Sequence, residues 1–199
     1  EGGSLHTASL TENWRVAMPD TVSDPKQAPL KSAMPPINKL NHFAWRCRDA
    51  EETRHFYEDI LGLPLAHTIE ADNVPSTGEY APYFHLFFQM TDGSFIAFFD
   101  LADGKGYSPH PDNPRWVNHF AMEVDSYDDL LAAKARLDEA GVALIGPTDH
   151  GFIRSIYFFD PNDLRLEITC RMETSAEAKA AADKAHDHLK SWLAAHPKD

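Results

Sequence analysis

Two histidines and one glutamate in this sequence have the residue types and spacing of metal ligands. His42 and His119 each take the second place of an Asn-His-Phe-Ala tetrapeptide, Asn41–Ala44 and Asn118–Ala121, about 77 residues apart. Glu167 belongs to Leu164–Thr169, an alternating apolar and polar run that reads as a strand. The turn chemistry of Asp160-Pro161-Asn162-Asp163 joins it to the β-branched and aromatic stretch Ile153–Phe159. In a hairpin centred on Asn162, Tyr157 and Glu167 stand opposite each other and share a face with Arg165 and Thr169, while Phe158, Leu164, Leu166 and Ile168 face the other way. A mid-strand carboxylate beside a phenol, backed by a wholly apolar face, serves a site better than it serves stability. Strand parity puts His42 opposite Phe43 and Trp45, and His119 opposite Phe120 and Met122. Helices resting on Phe43 and Phe120 then leave both imidazoles on the concave side with Glu167. Two neutral imidazoles and a carboxylate bind Fe(II) and leave adjacent positions for substrate and dioxygen; Mn, Ni and Zn take the same donors.

The elements that must position these residues recur in order. Leu40–Arg46 alternates as a strand. Asp49–Ile60 carries acidic residues in its first turn, an apolar face of Phe56, Ile60 and Leu61, and a stop at Gly62, which spells a helix. Leu63–Ile69, Tyr80–Gln89 and Ser94–Phe99 are strands, the last two joined by Thr91-Asp92-Gly93. After a Gly-, Pro- and Asp-rich loop over Ala102–Pro114 the pattern repeats: strand Arg115–Val124, helix Tyr127–Ala140 stopped by Gly141, strand Val142–Ile145, then the Ile153–Thr169 hairpin. A shared tetrapeptide and shared element order mark a duplication. The expected class is α+β, two paired βαβββ modules over 37–101 and 114–171 within a domain 37–171. A proline-rich extended arm over 1–36, with Trp14 and Val16 as anchors, precedes it, and a helical tail over 172–199 follows.

Composition narrows the function classes. With 31 acidic against 18 basic side chains the net charge is −13, which argues against nucleic acid and against an anionic membrane surface. No apolar run approaches the length of a membrane span, and the start of the chain lacks a signal pattern. Cys47 and Cys170 read as free buried thiols of a cytoplasmic protein.

From about Ile37 to Arg171 the chain resembles the vicinal oxygen chelate superfamily of glyoxalases, bleomycin-resistance proteins, epimerases and extradiol ring-cleavage dioxygenases. The hairpin further resembles the extradiol signature, through His150, Ile156-Tyr157, Asp160-Pro161 and Glu167; Asp163 departs from the family's turn glycine or proline. Asp tolerates a left-handed turn, so the hairpin is expected to survive. The resemblance implies a cup enclosing a divalent metal, with His42, His119 and Glu167 as ligands. It also implies Tyr157 as a hydrogen-bond donor to substrate or an oxygen intermediate, and His150 as a substrate-contacting or supporting residue. His85, sharing a strand face with Tyr83, is the first candidate acid–base residue, with His110 and Asp100 as rivals. Aligning Gly93 with Asp163 sets Ala97 where the second module has Glu167, and a shift of one residue sets Phe98 there; neither side chain ligates a metal, so the first module offers no fourth ligand of the glyoxalase kind. The implied activity is an Fe(II)-dependent extradiol-type dioxygenase, a homodimer acting on a small aromatic diol and O2. The alternatives are a glyoxalase-like metal-dependent lyase or isomerase and a drug-binding resistance protein.

Overall fold

The computed structural model describes Pro35 and residues 37–196; the expected arm, with Trp14 and Val16, otherwise lies outside the described residues. The first module runs β1 (His42–Cys47), α1 (Ala50–Arg54), β2 (Leu65–Asn73), β3 (Tyr80–Gln89) and β4 (Phe95–Asp100). The second runs β5 (Phe120–Glu123), α2 (Tyr127–Glu139), β6 (Leu144–Asp149), β7 (Ile153–Phe159) and β8 (Arg165–Arg171), followed by α3 (Ser175–Ala195). Each module is a four-stranded mixed sheet of the same topology, β1-β4-β3-β2 and β5-β8-β7-β6, with the first strand parallel to the last and the other pairs antiparallel. The expected α+β pairing of two βαβββ modules is therefore observed.

Caps and turns explain the local order. Asp49 and Ser126 accept from the amides of Glu52 and Asp129, closing the first turns of α1 and α2. After Arg54 the first helix widens into a π turn, His55–Ile60, which sends the adjacent residues Phe56 and Tyr57 together into the core. The helical reading set Phe56 with Ile60 and Leu61 on the packed face and gave Tyr57 no place there; a π turn breaks the period on which that reading rests, so the widening was not legible. Asp163 takes φ 65° at the β7–β8 turn, the left-handed conformation it was expected to tolerate at the place of the resembled family's turn glycine. β2 continues through Asn73, into a stretch read from sequence as loop, because it pairs with β3 up to Asn73↔Tyr80. Thr174 and Glu177 form a capping box that starts α3, and none of its residues is buried.

The core is common to both modules. Leu86, Phe88, Ile96 and Phe98 of the first sheet join Ile156, Phe158, Leu166 and Ile168 of the second, with Phe56, Tyr57, Leu130 and Leu137 from the helices. Phe43 meets Phe120 at 4.0 Å between ring centroids, so β1 and β5 touch through the faces opposite their histidines. A buried polar lock adds to this. Tyr57 Oη donates to Asp160 (3.1 Å), Asn162 Nδ2 donates to Thr53 Oγ1 (3.1 Å), and Arg48 N donates to Asn162 Oδ1 (2.8 Å). The first module's helix thereby grips the turn that aims Glu167.

Cys47 and Cys170 are free and buried, as expected from the sequence. Burial pushes the Cys47 thiol up to about 11, so roughly one molecule in a thousand carries its thiolate at pH 8. Ellman's reagent at pH 8 is expected to leave both thiols untouched in the native protein and to count two in urea. Rapid native labelling would show that this core opens.

Candidate metal centre

Pairing along the second sheet builds the site. In the β7–β8 ladder Tyr157 lies opposite Glu167 and Ser155 opposite Thr169, as the hairpin parity required. Glu167 is 3% exposed although it faces away from the apolar core. His119 precedes β5 by one residue, and its Nε2 stands 3.0 Å from Glu167 Oε2. His119 Nδ1 lies 3.1 Å from the Val117 carbonyl, which can only accept. The Nδ1 proton belongs there, leaving a lone pair on Nε2. Two acceptors at 3.0 Å call for a cation or proton between them, so the donor set suits a divalent metal. Tyr157 Oη donates to Glu167 Oε1 (3.2 Å), and His150 Nε2 lies 2.7 Å from the same hydroxyl. Burial, and then the Glu167 charge, raise the Tyr157 pKa, which keeps the phenol protonated. An unbroken chain of polar groups thus links exposed His150 through Tyr157 to Glu167 and His119.

The first sheet carries the matching face in different chemistry. Ala44 pairs with Ala97 and Ala121 with Glu167, so Ala97 is the structural counterpart of Glu167. By the same registers Phe87 corresponds to Tyr157, Phe95 to Arg165 and Phe99 to Thr169. The first module's face is therefore aromatic where the second is polar. His42 packs edge-on to Phe87 at 5.6 Å and gives its Nδ1 proton to Asn41 Oδ1 (2.8 Å), so that its Nε2 too presents a lone pair. His85 is buried, donates from Nδ1 to the Phe98 carbonyl (2.8 Å) and stacks on Phe99 at 3.6 Å. Burial, then the neighbouring His42 and His67, lower its pKa and hold it neutral.

Within one chain His42 does not join His119 and Glu167, and among the described residues no three ligating side chains cluster for a metal. The cause is the Phe43–Phe120 contact: both histidine faces turn outward from the core shared by the sheets. The other sequence candidates fall elsewhere. His110 is an exposed loop residue whose Nδ1 accepts from the Asp112 amide, and Asp100 accepts from the Ala50 and Ala102 amides. Sequence reasoning missed the groups that fix the tautomers. Asn41, preceding His42, was visible; the Val117 carbonyl left no signal.

A family model of the glyoxalase/bleomycin resistance protein/dioxygenase superfamily matches residues 39–168. The chain belongs to this superfamily. Among its relatives, biphenyl-2,3-diol 1,2-dioxygenase of Paraburkholderia xenovorans is 27% identical over 130 residues, which is 64% of this chain and 39% of the dioxygenase. The chain thus spans well under half of that enzyme. Lactoylglutathione lyase of Pseudomonas aeruginosa is 24% identical over 151 residues, 65% of this chain and 80% of the lyase. The crystal structure of a glyoxalase/dioxygenase from Nostoc punctiforme is similar at TM-score 0.52 and 26% identity, covering 73% of this chain and all of that one. This superfamily includes metal-dependent enzymes of more than one reaction class. No helix of the described residues is long and apolar enough to cross a membrane.

Proposed function

We propose that this chain is an Fe(II)-dependent extradiol-type dioxygenase that opens a catechol-like ring with O2. His42, His119 and Glu167 are its ligands, and Mn, Ni or Zn are the competing occupants. The observation that carries the reading is the His119–Glu167 pair, tautomer-fixed and backed by Tyr157 and His150. Because the two histidine faces turn outward, the site is completed between two copies: His42 of one joins His119 and Glu167 of the other. A homodimer also sets the aromatic face of one copy over the polar face of the other, giving a flat ring a wall in Phe87, Phe95 and Phe99. The domain limits proposed are 37–171, with module boundaries at 37–101 and 114–171.

A metal held by these residues would supply Lewis acidity toward the two vicinal oxygens of a catechol, whose ring provides the electrons that reduce O2. The chain's own residues hold and move protons. Tyr157 Oη, protonated and hydrogen-bonded to Glu167, donates toward charge that develops on the substrate or on oxygen. His150, exposed and in contact with that hydroxyl, exchanges its proton with solvent. His85, kept neutral by burial, has a free Nε2 with which to take a catechol proton from the aromatic side.

Metal analysis of anaerobically purified protein, followed by catechols in air with O2 uptake recorded, tests the reading. Near-stoichiometric iron with one O2 consumed per catechol is the expected result. Nickel or zinc without O2 uptake would instead favour a glyoxalase-like lyase or isomerase, the reading supported by the match to most of the lyase's length. Tyr157→Phe is expected to lower turnover by about 10²-fold while iron content stays at the wild-type value, and an unchanged rate would remove its role.

A further inference from the structure

We infer that Arg165 is the residue that recognises a carboxylate on the substrate, so that the favoured substrate is a carboxylated aromatic diol; this rests on the dioxygenase reading. The first observation is one of pairing. In a chain with 31 acidic and 18 basic side chains, an arginine finds a carboxylate by default. Arg46, Arg48, Arg54, Arg115, Arg154 and Arg171 all do so. Among the described residues only Arg136 and Arg165 do not. Arg136 is occupied by the carbonyls of Ile60 and Asp59, at the end of the first helix.

Arg165 is held for another purpose. Its guanidinium lies over the Tyr157 ring, 4.4 Å from the centroid, and one nitrogen, Nη1, donates to the Trp116 carbonyl at 2.7 Å. Those two contacts fix the plane of the group and leave most of its five N–H donors unused. It projects from β8 on the face of Glu167, two residues away. Extending the β5–β8 ladder back one step from Phe120↔Leu166 sets it beside His119. An open hollow of about 440 Å³ adjoins it, walled by Trp116, Ile145, Tyr157 and Phe159. The second cation there, Arg115, is bound to Asp163 and is not available.

The duplication supplies the independent argument. The first module carries Phe95 at the place of Arg165, so the shared backbone does not require a cation there. A free guanidinium beside two metal ligands also repels the metal, and such a cost fits a residue kept for an anion. A planar carboxylate on the diol meets the remaining donors as a charge-assisted pair while the ring lies on Tyr157 and Trp116.

The test compares catechol, 4-methylcatechol, 3,4-dihydroxybenzoate and 3,4-dihydroxyphenylacetate with wild type, Arg165→Gln and Arg165→Lys. Two readouts are taken: kcat/KM from O2 uptake, and calorimetric binding to zinc-loaded protein under argon. Wild type is expected to favour at least one carboxylated diol by about 10-fold or more in both. Arg165→Gln should abolish that preference, bringing the ratio of carboxylated to neutral diols to about one in both readouts whatever the absolute rates, with Arg165→Lys keeping part of it. A wild-type preference for neutral catechols, or an anion preference that survives Arg165→Gln, overturns the inference. Turnover without anion preference would sink the inference and leave the dioxygenase reading. Anion-selective, Arg165-dependent binding without any O2 uptake would do the reverse.

Discussion

Glu167→Gln is expected to yield a folded protein that no longer holds its metal. Glutamine keeps the shape but removes the charge, and its amide presents a donor to one side of the site. The expected loss of affinity is at least about 10²-fold, since even supporting partners of metal ligands cost 10–100-fold. Metal bound after dialysis against a weak chelator should fall below about a tenth of the wild-type stoichiometry. Folding should not suffer, because the variant also relieves a buried carboxylate whose nearest partners are an imidazole and a phenol. Stoichiometric metal in the variant would remove Glu167 from the ligand set. A mixing experiment tests the composite site separately. His42→Ala and Glu167→Gln homodimers are each expected to be empty. Randomly re-formed dimers of the two should recover about a quarter of the wild-type sites, because each mixed dimer has one site free of both lesions. Recovery of nothing would confine the site to one chain, whatever the fate of Glu167.

Asp160→Ala should be the most damaging single change away from the metal. Asp160 is buried and accepts from Tyr57 Oη, the Leu164 amide and the Asn162 amide, at 3.1, 2.8 and 2.9 Å. Alanine leaves these donors inside the protein without an acceptor, and it frees the turn that orients β8. The expected cost is about 3 kcal/mol, or a fall in the unfolding midpoint of roughly 6–12 °C for a chain of this size. Calorimetry in excess chelator checks it, so that no metal contributes. Tyr57→Phe, which leaves the amides satisfied, should cost about a third as much. A midpoint within about 2 °C of wild type for Asp160→Ala would show that the lock is not a stabilising element.

Much of this was legible because period and parity survive folding. The Tyr157–Glu167 pairing follows from strand alternation and the matching first strands from the repeated Asn-His-Phe-Ala; the left-handed Asp163 rested on the family resemblance, and the repeat left Ala97 and Phe98 open for the Glu167 place, which the register decides for Ala97. The π turn at His55–Ile60 was not legible, because it breaks the period on which a helix is read. Nor was the outward turn of His42. Which sides of β1 and β5 meet is decided by the fit of Phe43 against Phe120, and a one-dimensional pattern does not encode that fit. Arg165 was visible on the right face, but its lack of a carboxylate partner is a property of the whole surface.

The matching registers of the two sheets have a consequence for how such a protein changes over generations. Of the three proposed ligands two, His119 and Glu167, lie in the second module, and the first would contribute the single imidazole of His42 and otherwise a surface of phenyl rings. Substitutions at Phe87, Phe95 or Phe99 therefore reshape the wall without moving a ligand, since Ala97 at the Glu167 place carries no duty toward the metal. On the proposed reading, one copy of the repeat would be free to explore new substrates while the other preserved the reaction, and in the proposed composite cup a single mutation in that wall would be sampled twice in every dimer.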